Sequence, residues 1–325
     1  MDSDGGPEAR SSSLARSGLW LVLLTAVISG VSTFVNLYAV PGTNSDAFVT
    51  VRNSAVALLL APLAVVTTYG ATRRTPLSRG DWTRLVTIGI VGGGIPFLLF
   101  FHGLQLAQAA GAGATASFLY RTLFLIAAVL GILFLKERFH WRVVLAAVLL
   151  LGGNLLLLSF TTPIWANGDG YVFAATALWA GEYTLSKRTL RDLPSQTVAL
   201  GRMGFGAIFL VTYLAATEQL AAVGSFSSGQ WLWIAISGIL LAGFVMAWYA
   251  GLKRVDLGVA TAVLVLGFPI TWLLTVTVHG APVTTLLELM GATAIAAGAA
   301  VAIGGKSLRS MWNDIRSAIF GRPAT

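Results

Sequence analysis

The amino-acid sequence predicts an all-α integral membrane protein in which ten transmembrane helices form two inverted five-helix repeats. Three observations carry that reading. Long apolar stretches recur from end to end, Lys and Arg are confined to alternate connections, and the second half repeats the order of elements of the first. Of the 325 residues, 56% are hydrophobic and only 10% charged, with a mean hydropathy of +0.80, whereas soluble domains carry roughly 25% charged residues. A membrane-crossing helix requires about 20 mostly apolar residues to span a hydrocarbon layer roughly 30 Å thick. Stretches of that kind fall at 18–40, 47–69, 85–102, 109–135, 142–160, 170–187, 196–217, 230–252, 257–279 and 284–304. They leave no room for a soluble domain. The chain contains no cysteine, which excludes disulfides, thiolate metal sites and a cysteine nucleophile.

Residues 1–17, rich in Ser, Gly and charge, read as a disordered cytoplasmic tail. The apolar run that follows exceeds the roughly 7–15-residue core of a signal peptide, and Val40-Pro41-Gly42 makes a poor cleavage site, so the run is expected to be retained. With the N-terminus inside, the inner segments hold Arg10 and Arg16; Arg73, Arg74, Arg79 and Arg84; Lys136, Arg138 and Arg142; Lys187, Arg188 and Arg191; Lys253 and Arg254; and Lys306, Arg309, Arg316 and Arg322. Only Arg52, Arg121 and Arg202 lie within spans, and the outer loops hold no Lys or Arg. Basic residues in short loops stay cytoplasmic, so both termini are expected on the cytoplasmic side of the cell inner membrane. The formal net charge of +8 is then a consequence of orientation, and no basic groove suggests nucleic acid. After the last span, Leu308, Met311, Trp312, Ile315 and Ile319 follow helical spacing beside Lys306, Arg309 and Arg316, so 305–325 reads as an amphipathic tail lying on the bilayer surface.

The repeat emerges at an offset of about 150 residues. His102-Gly103-Leu104 meets Ala250-Gly251-Leu252, both followed by Ala-rich sequence, and Arg52 falls on Arg202. The first repeat spans 18–160 and the second 170–304. Each holds an odd number of spans, so the second must be inverted, and the loops agree: Lys136-Glu137-Arg138 corresponds to His279-Gly280-Ala281-Pro282, which has no Lys or Arg. Inverted repeats are a transporter architecture with substrate near the midplane.

Several segments, taken in order, resemble a known family. Ser45-Asp46-Ala47-Phe48-Val49-Thr50-Val51-Arg52 and Ser195-Gln196-Thr197-Val198-Ala199-Leu200-Gly201-Arg202 look like the polar start of the second helix in each repeat of the drug/metabolite transporter superfamily, and within it the EamA-like exporters. Gly131-Ile132-Leu133-Phe134-Leu135-Lys136-Glu137-Arg138 is similar to the Leu-Gly-Glu-Arg end of that family's fourth helix, and Trp179-Ala180 with Ser186-Lys187-Arg188 resembles its sixth. The sequence departs from the pattern at Ser29, Arg121, Glu182 and Pro282, which bears on the substrate rather than the fold. The resemblance implies a secondary transporter exporting small polar metabolites such as amino acids. A channel or a non-transporting receptor of the same fold is the alternative.

Candidate site residues come from two equivalent stripes. Ser29, Ser32, Thr33 and Asn36 lie on one face of the first span, and Trp179, Glu182, Tyr183 and Ser186 on the same face of the sixth. Polar groups facing lipid are costly, so these faces point into protein or a watered cavity. Helix packing would also account for the first stripe. Tyr120, Trp248 and Trp272, with Phe97, Phe101, Tyr249 and Phe268, are aromatic candidates for the wall. Glu182 is the carboxylate deepest in a span and the candidate proton-coupling group, since burial disfavours a charged carboxylate. Arg121, about 12 residues or roughly 18 Å from either span end, is too deep to reach the interface. It pairs with Glu182 or binds an anionic substrate group. Arg52 and Arg202, close to span ends, read as scaffold. Pro62, Pro96, Pro269 and Gly92-Gly93-Gly94 permit kinks within spans.

No cofactor is expected. The sequence has no P-loop and no His-Glu-x-x-His pattern, and its spans hold few ionisable groups, so enzyme chemistry is not expected. The expected partners are the bilayer and a small-molecule substrate, with a homodimer left open. The distribution of Lys and Arg makes a direct prediction on this naturally cysteine-free chain. Single cysteines at Asn167 and Ser228 should react with an impermeant maleimide on intact cells, and those at Ser78 and Ser307 only after permeabilisation; the opposite pattern refutes the orientation.

Overall fold

In a hydrocarbon layer every backbone N–H and C=O must be satisfied within the chain, and a helix does this without a neighbour. The computed structural model describes residues 7–39, 43–69, 76–110, 113–138, 141–158, 165–279 and 285–320, and among these there is no strand. The first half holds α1 (Pro7–Ala39), α2 (Ser45–Tyr69), α3 (Arg79–Ile88), α4 (Ile95–Ala109), α5 (Gly113–Arg121), α6 (Leu123–Leu135) and α7 (Trp141–Leu157). The second holds α8 (Asp169–Thr189), α9 (Ser195–Ala216), α10 (Ala221–Gly224), α11 (Ser228–Leu252), α12 (Leu257–Leu264), α13 (Gly267–His279) and α14 (Leu286–Ile303), followed by α15 (Gly305–Phe320). Capping boxes start two of the helices: Ser78 with Asp81 at α3, and Ser227 with Gln230 at α11.

Three helical features differ from the expected unbroken spans. Helix α1 begins at Pro7, so it includes most of the segment expected to be a disordered tail. A six-residue π-helical turn, Gly89–Gly94, joins α3 to α4. Thr122 separates α5 from α6, and Val265 with Leu266 separates α12 from α13. Proline accounts for the second and part of the third. Pro96 cannot donate to the carbonyl four residues back, at Gly92, and its ring crowds that carbonyl. Pro269 does the same to Val265. The break at Thr122 has no such cause, and its hydroxyl bonds the Leu119 carbonyl at 2.7 Å.

Eight helical stretches among the described residues are long and apolar enough to cross a membrane. Of the other two expected spans, α7 is apolar but only 17 residues long. Helix α8 has 21 residues but carries Asp169, Glu182, Lys187 and Arg188, and it lies at the centre of the bundle against α4, α5 and α6. Burial in protein lets α8 be polar where a lipid-facing helix could not be. The neighbours repeat between halves: α1 packs on α11 and on α12–α13 as α8 packs on α4 and on α5–α6, while α2 packs on α9 and α7 on α14. Large apolar side chains such as Leu58, Phe134, Val148, Ile208, Ile239 and Leu286 are turned outward, as lipid requires.

Close backbone approach fixes the α9 contact with the π turn. A Cβ at Gly206 would stand 2.6 and 2.7 Å from the backbone of Gly93, so Gly206→Ala forces the two helices apart, whereas a Cβ at Gly181 meets nothing within 4 Å. Gly206→Ala should therefore destabilise the purified protein by about 1–3 kcal/mol or more, read as a lower thermal midpoint in detergent, and Gly181→Ala should not.

Candidate functional site: a central cavity between the repeats

The two polar stripes meet at one cavity of about 140 Å³. Helix α1 contributes Ser29, Ser32 and Asn36; α2 contributes Arg52; α4 contributes Phe97, Phe100 and Phe101; and α5 contributes Tyr120. From the second repeat come Trp179 and Tyr183 of α8, Arg202 of α9, and Ser237, Leu241 and Phe244 of α11. The volume is below the roughly 300–1,000 Å³ of pockets for drug-sized ligands. Asn36 lies near the C-terminal end of α1, and Arg52 and Ser237 lie in the N-terminal halves of α2 and α11. Tyr183 lies late in α8 and Arg202 early in α9, both toward the basic end, so the cavity spans the middle of the bundle.

One wall is aromatic. The Trp179 ring lies 5.4 Å from Phe97, 5.5 Å from Phe100 and 5.5 Å from Tyr120, with Phe100 and Tyr120 5.1 Å apart. These are centroid separations at which aromatic pairs attract beyond simple burial. The wall is held by the π turn, because the Trp179 indole donates to the Gly92 carbonyl at 3.0 Å. Arg202 Nη2 donates to the same oxygen at 3.3 Å, and Asn53 Nδ2 donates to Gly93 O at 3.3 Å.

Behind this wall sits a buried polar node. Glu182, 1% exposed, accepts from the Tyr249 hydroxyl at 2.7 Å and from Ser186 at 2.5 Å through Oε1, and its Oε2 faces Arg202 Nε at 3.8 Å. Oε2 itself has no hydrogen bond. The partner of Glu182 is thus an arginine of another helix, Arg202. The alternative pairing with Arg121 does not form, and Lys187 instead donates to the carbonyls of Leu252 and Val255 at 2.7 and 2.6 Å.

Of the candidates from sequence, Ser32, Asn36, Tyr120, Trp179 and Tyr183 line the cavity. Glu182 and Trp248 lie one layer behind it, with Trp248 fully buried and its ring 4.6 Å from Tyr183. Arg121 and Trp272 are not brought to it. The Arg121 guanidinium lies over the Phe268 ring at 3.4 Å, and Trp272 packs in a separate cluster with Phe124, Leu150 and Ile295. Tyr120 and Arg121, neighbours at the end of α5, point different ways, Tyr120 to the cavity and Arg121 to Phe268 of α13. Arg52 and Arg202, read as scaffold, both line the cavity, as do Phe100, Ser237 and Phe244. The coincidence of Arg52 and Arg202 under the repeat was the available signal for the arginines; Ser237 gave none in an otherwise apolar helix.

The basic end is held together by polar contacts. Lys253 donates to Leu193 O at 3.0 Å, Arg84 meets Asp192 at 2.8 Å, and Glu137 accepts from Leu257 N at 2.6 Å and Gly258 N at 3.2 Å, at the start of α12. Burial raises the Glu137 carboxyl above its usual range, and the two backbone donors oppose that. Arg16 meets Asp314 of α15 at 3.2 Å, docking the last helix on the first. On α15, Met311 is buried whereas Trp312 and Ile319 stay exposed.

An all-helical bundle of apolar spans around a small polar-and-aromatic cavity defines a polytopic membrane protein. The chain belongs to the EamA-like transporter family, whose model matches twice, over residues 16–159 and 166–304. The double match supports the duplication seen in the repeats. A solved structure described only as a crystal structure of a protein is similar over 90% of this chain and 96% of that one, with a TM-score of 0.66 and 21% identity, a likeness of fold. No curated protein matches the chain significantly.

Removing one member of a buried ion pair leaves the other charge uncompensated, at about 3–5 kcal/mol. Glu182→Gln and Arg202→Gln should each lower the thermal midpoint, and the double variant should be less destabilised than the sum of the two. Full additivity would show that the pair does not couple.

Proposed function

We propose that the protein is a secondary active transporter of small polar metabolites, working by alternating access through the central cavity. The observation that supports this best is a polar and aromatic cavity in the middle of the bundle, lined by both repeats, with hydrogen bonds and ion pairs holding the basic end together. In this reading all ten helical spans cross the cell inner membrane, α7 and α8 included, with the basic end in the cytoplasm and the cavity near the midplane. Export of amino acids or similar metabolites follows the family resemblance. Ser32, Asn36, Tyr120, Trp179 and Tyr183 contact the substrate, and Trp248 backs Tyr183. Arg121 and Trp272 join them only where movement at the α5–α6 and α12–α13 breaks reaches the cavity. The amphipathic α15 lies on the cytoplasmic leaflet, its basic residues toward anionic head groups.

Glu182 couples transport to protons in this scheme. Its free Oε2 is the atom to protonate, and protonation weakens the hold on Arg202, which lines the cavity. Counterflow in proteoliposomes, screened over a panel of metabolites, tests the central claim: trans-substrate should accelerate uptake, and its failure to do so for any transported solute would favour a channel. With a substrate in hand, Glu182→Gln should retain exchange while losing accumulation driven by a pH gradient. Normal uphill transport in the variant would remove Glu182 from coupling.

A further inference from the structure

The two repeats treat their equivalent arginines differently. At the offset of about 150 residues, Arg52 corresponds to Arg202, Ser32 to Glu182 and Asn36 to Ser186. In the second repeat the guanidinium faces the Glu182 carboxylate. In the first, nothing anionic among the described residues meets Arg52. Its Nε and Nη2 reach Asn53 Oδ1, each at 3.2 Å, and Nη1 reaches Ser237 Oγ at 3.5 Å, all neutral acceptors. The rings of Phe48 and Phe97 lie 5.7 and 5.5 Å from its guanidinium carbon. Ser32 stands where the acid would be, with its hydroxyl buried and unpartnered. Arg52 is 4% exposed, and both residues border the cavity.

A buried guanidinium without a counter-charge is costly by several kcal/mol, and a well-placed carboxylate offsets part of that cost. Its planar fork matches a carboxylate with two parallel hydrogen bonds. We propose that a substrate carboxylate completes the first repeat, lying beside Arg52 as Glu182 lies beside Arg202 and accepting from the Ser32 hydroxyl. The rest of the substrate then lies against Trp179, Tyr120 and Phe100. Among the described residues no carboxylate borders the cavity, so an ammonium group on the same substrate finds no counter-charge there, only aromatic faces and neutral hydroxyl and amide acceptors. The substrate class is a small organic carboxylate with an apolar or aromatic body, and Arg52 is its anchor in place of Arg121. This rests on reading the cavity as the transport site.

The test uses purified full-length protein in detergent and matched probes: L-phenylalanine with L-phenylalaninamide, L-leucine with L-leucinamide, and phenylacetate with phenylacetamide. Ligand binding raises the thermal midpoint as affinity dictates. At least one carboxylate should stabilise the wild type, and its amide should bind at least about tenfold more weakly, the ratio expected for a lost charge-assisted pair. Arg52→Gln should erase that preference. Ser32→Glu, which supplies an internal partner for Arg52, should unfold at a higher temperature without ligand and no longer respond to the carboxylate. Unchanged carboxylate affinity in Arg52→Gln, or no response of the wild type to any of the carboxylates, overturns the proposal. If amide and carboxylate bind alike and Trp179→Ala abolishes both, the carboxylate anchor is wrong while the cavity stands as a binding site. Carboxylate binding unaffected by Trp179→Ala would sink the cavity itself.

Discussion

The carbonyl of Gly92 organises the middle of this protein. Pro96 withdraws the N–H that would bond it within the helix, and the π turn at Gly89–Gly94 leaves it turned toward the second repeat. Inside a membrane an unmet carbonyl is costly, so two donors from different helices converge on it, the Trp179 indole and the Arg202 guanidinium. Those two bonds place the aromatic wall and the ion pair together. Arg202, so held, faces Glu182, and Glu182 in turn holds Ser186 and Tyr249. The glycines of the turn serve the same arrangement by allowing α9 to approach through Gly206 and the Glu182 side chain to lie over Gly92. Loss of Glu182 leaves both the Tyr249 hydroxyl and the Arg202 guanidinium, on two other helices, without their partner.

The duplication gives the cavity its asymmetry of charge. Two copies of one fold place arginines at matching depths, and divergence left an acid beside only one of them. The second repeat is internally neutral at this point, whereas the first presents a positive charge cushioned by an amide, a hydroxyl and aromatic faces. Tyr249 and Phe101, close to equivalent under the repeat, follow the same division: one donates to Glu182, and the other has no hydroxyl and borders the cavity. At the basic end the side chains of Lys187, Lys253 and Glu137 bond backbone groups rather than one another. Such bonds secure helix ends that a rocking motion would separate, and they depend on charge that water can compete for once the end opens.

Composition, hydrophobic run length and the placement of Lys and Arg were enough to determine a helical membrane protein, because a bilayer constrains each segment separately and leaves a local mark. The two arginines, the stripes on α1 and α8 and the doubled order of motifs were likewise legible, since a repeat is a relation within the sequence. The π turn and the helix breaks were not. They depend on which neighbour satisfies a freed carbonyl, and Pro62, which leaves α2 unbroken, shows that proline alone does not decide it. Only the tertiary structure determined which buried charges meet. On sequence grounds Arg121 was the partner offered for Glu182, whereas the fold lays Arg121 over the Phe268 ring and sets Arg202 opposite the carboxylate. Depth in a helix is set by position along the chain, whereas partnership is set by the rotation of one helix against another.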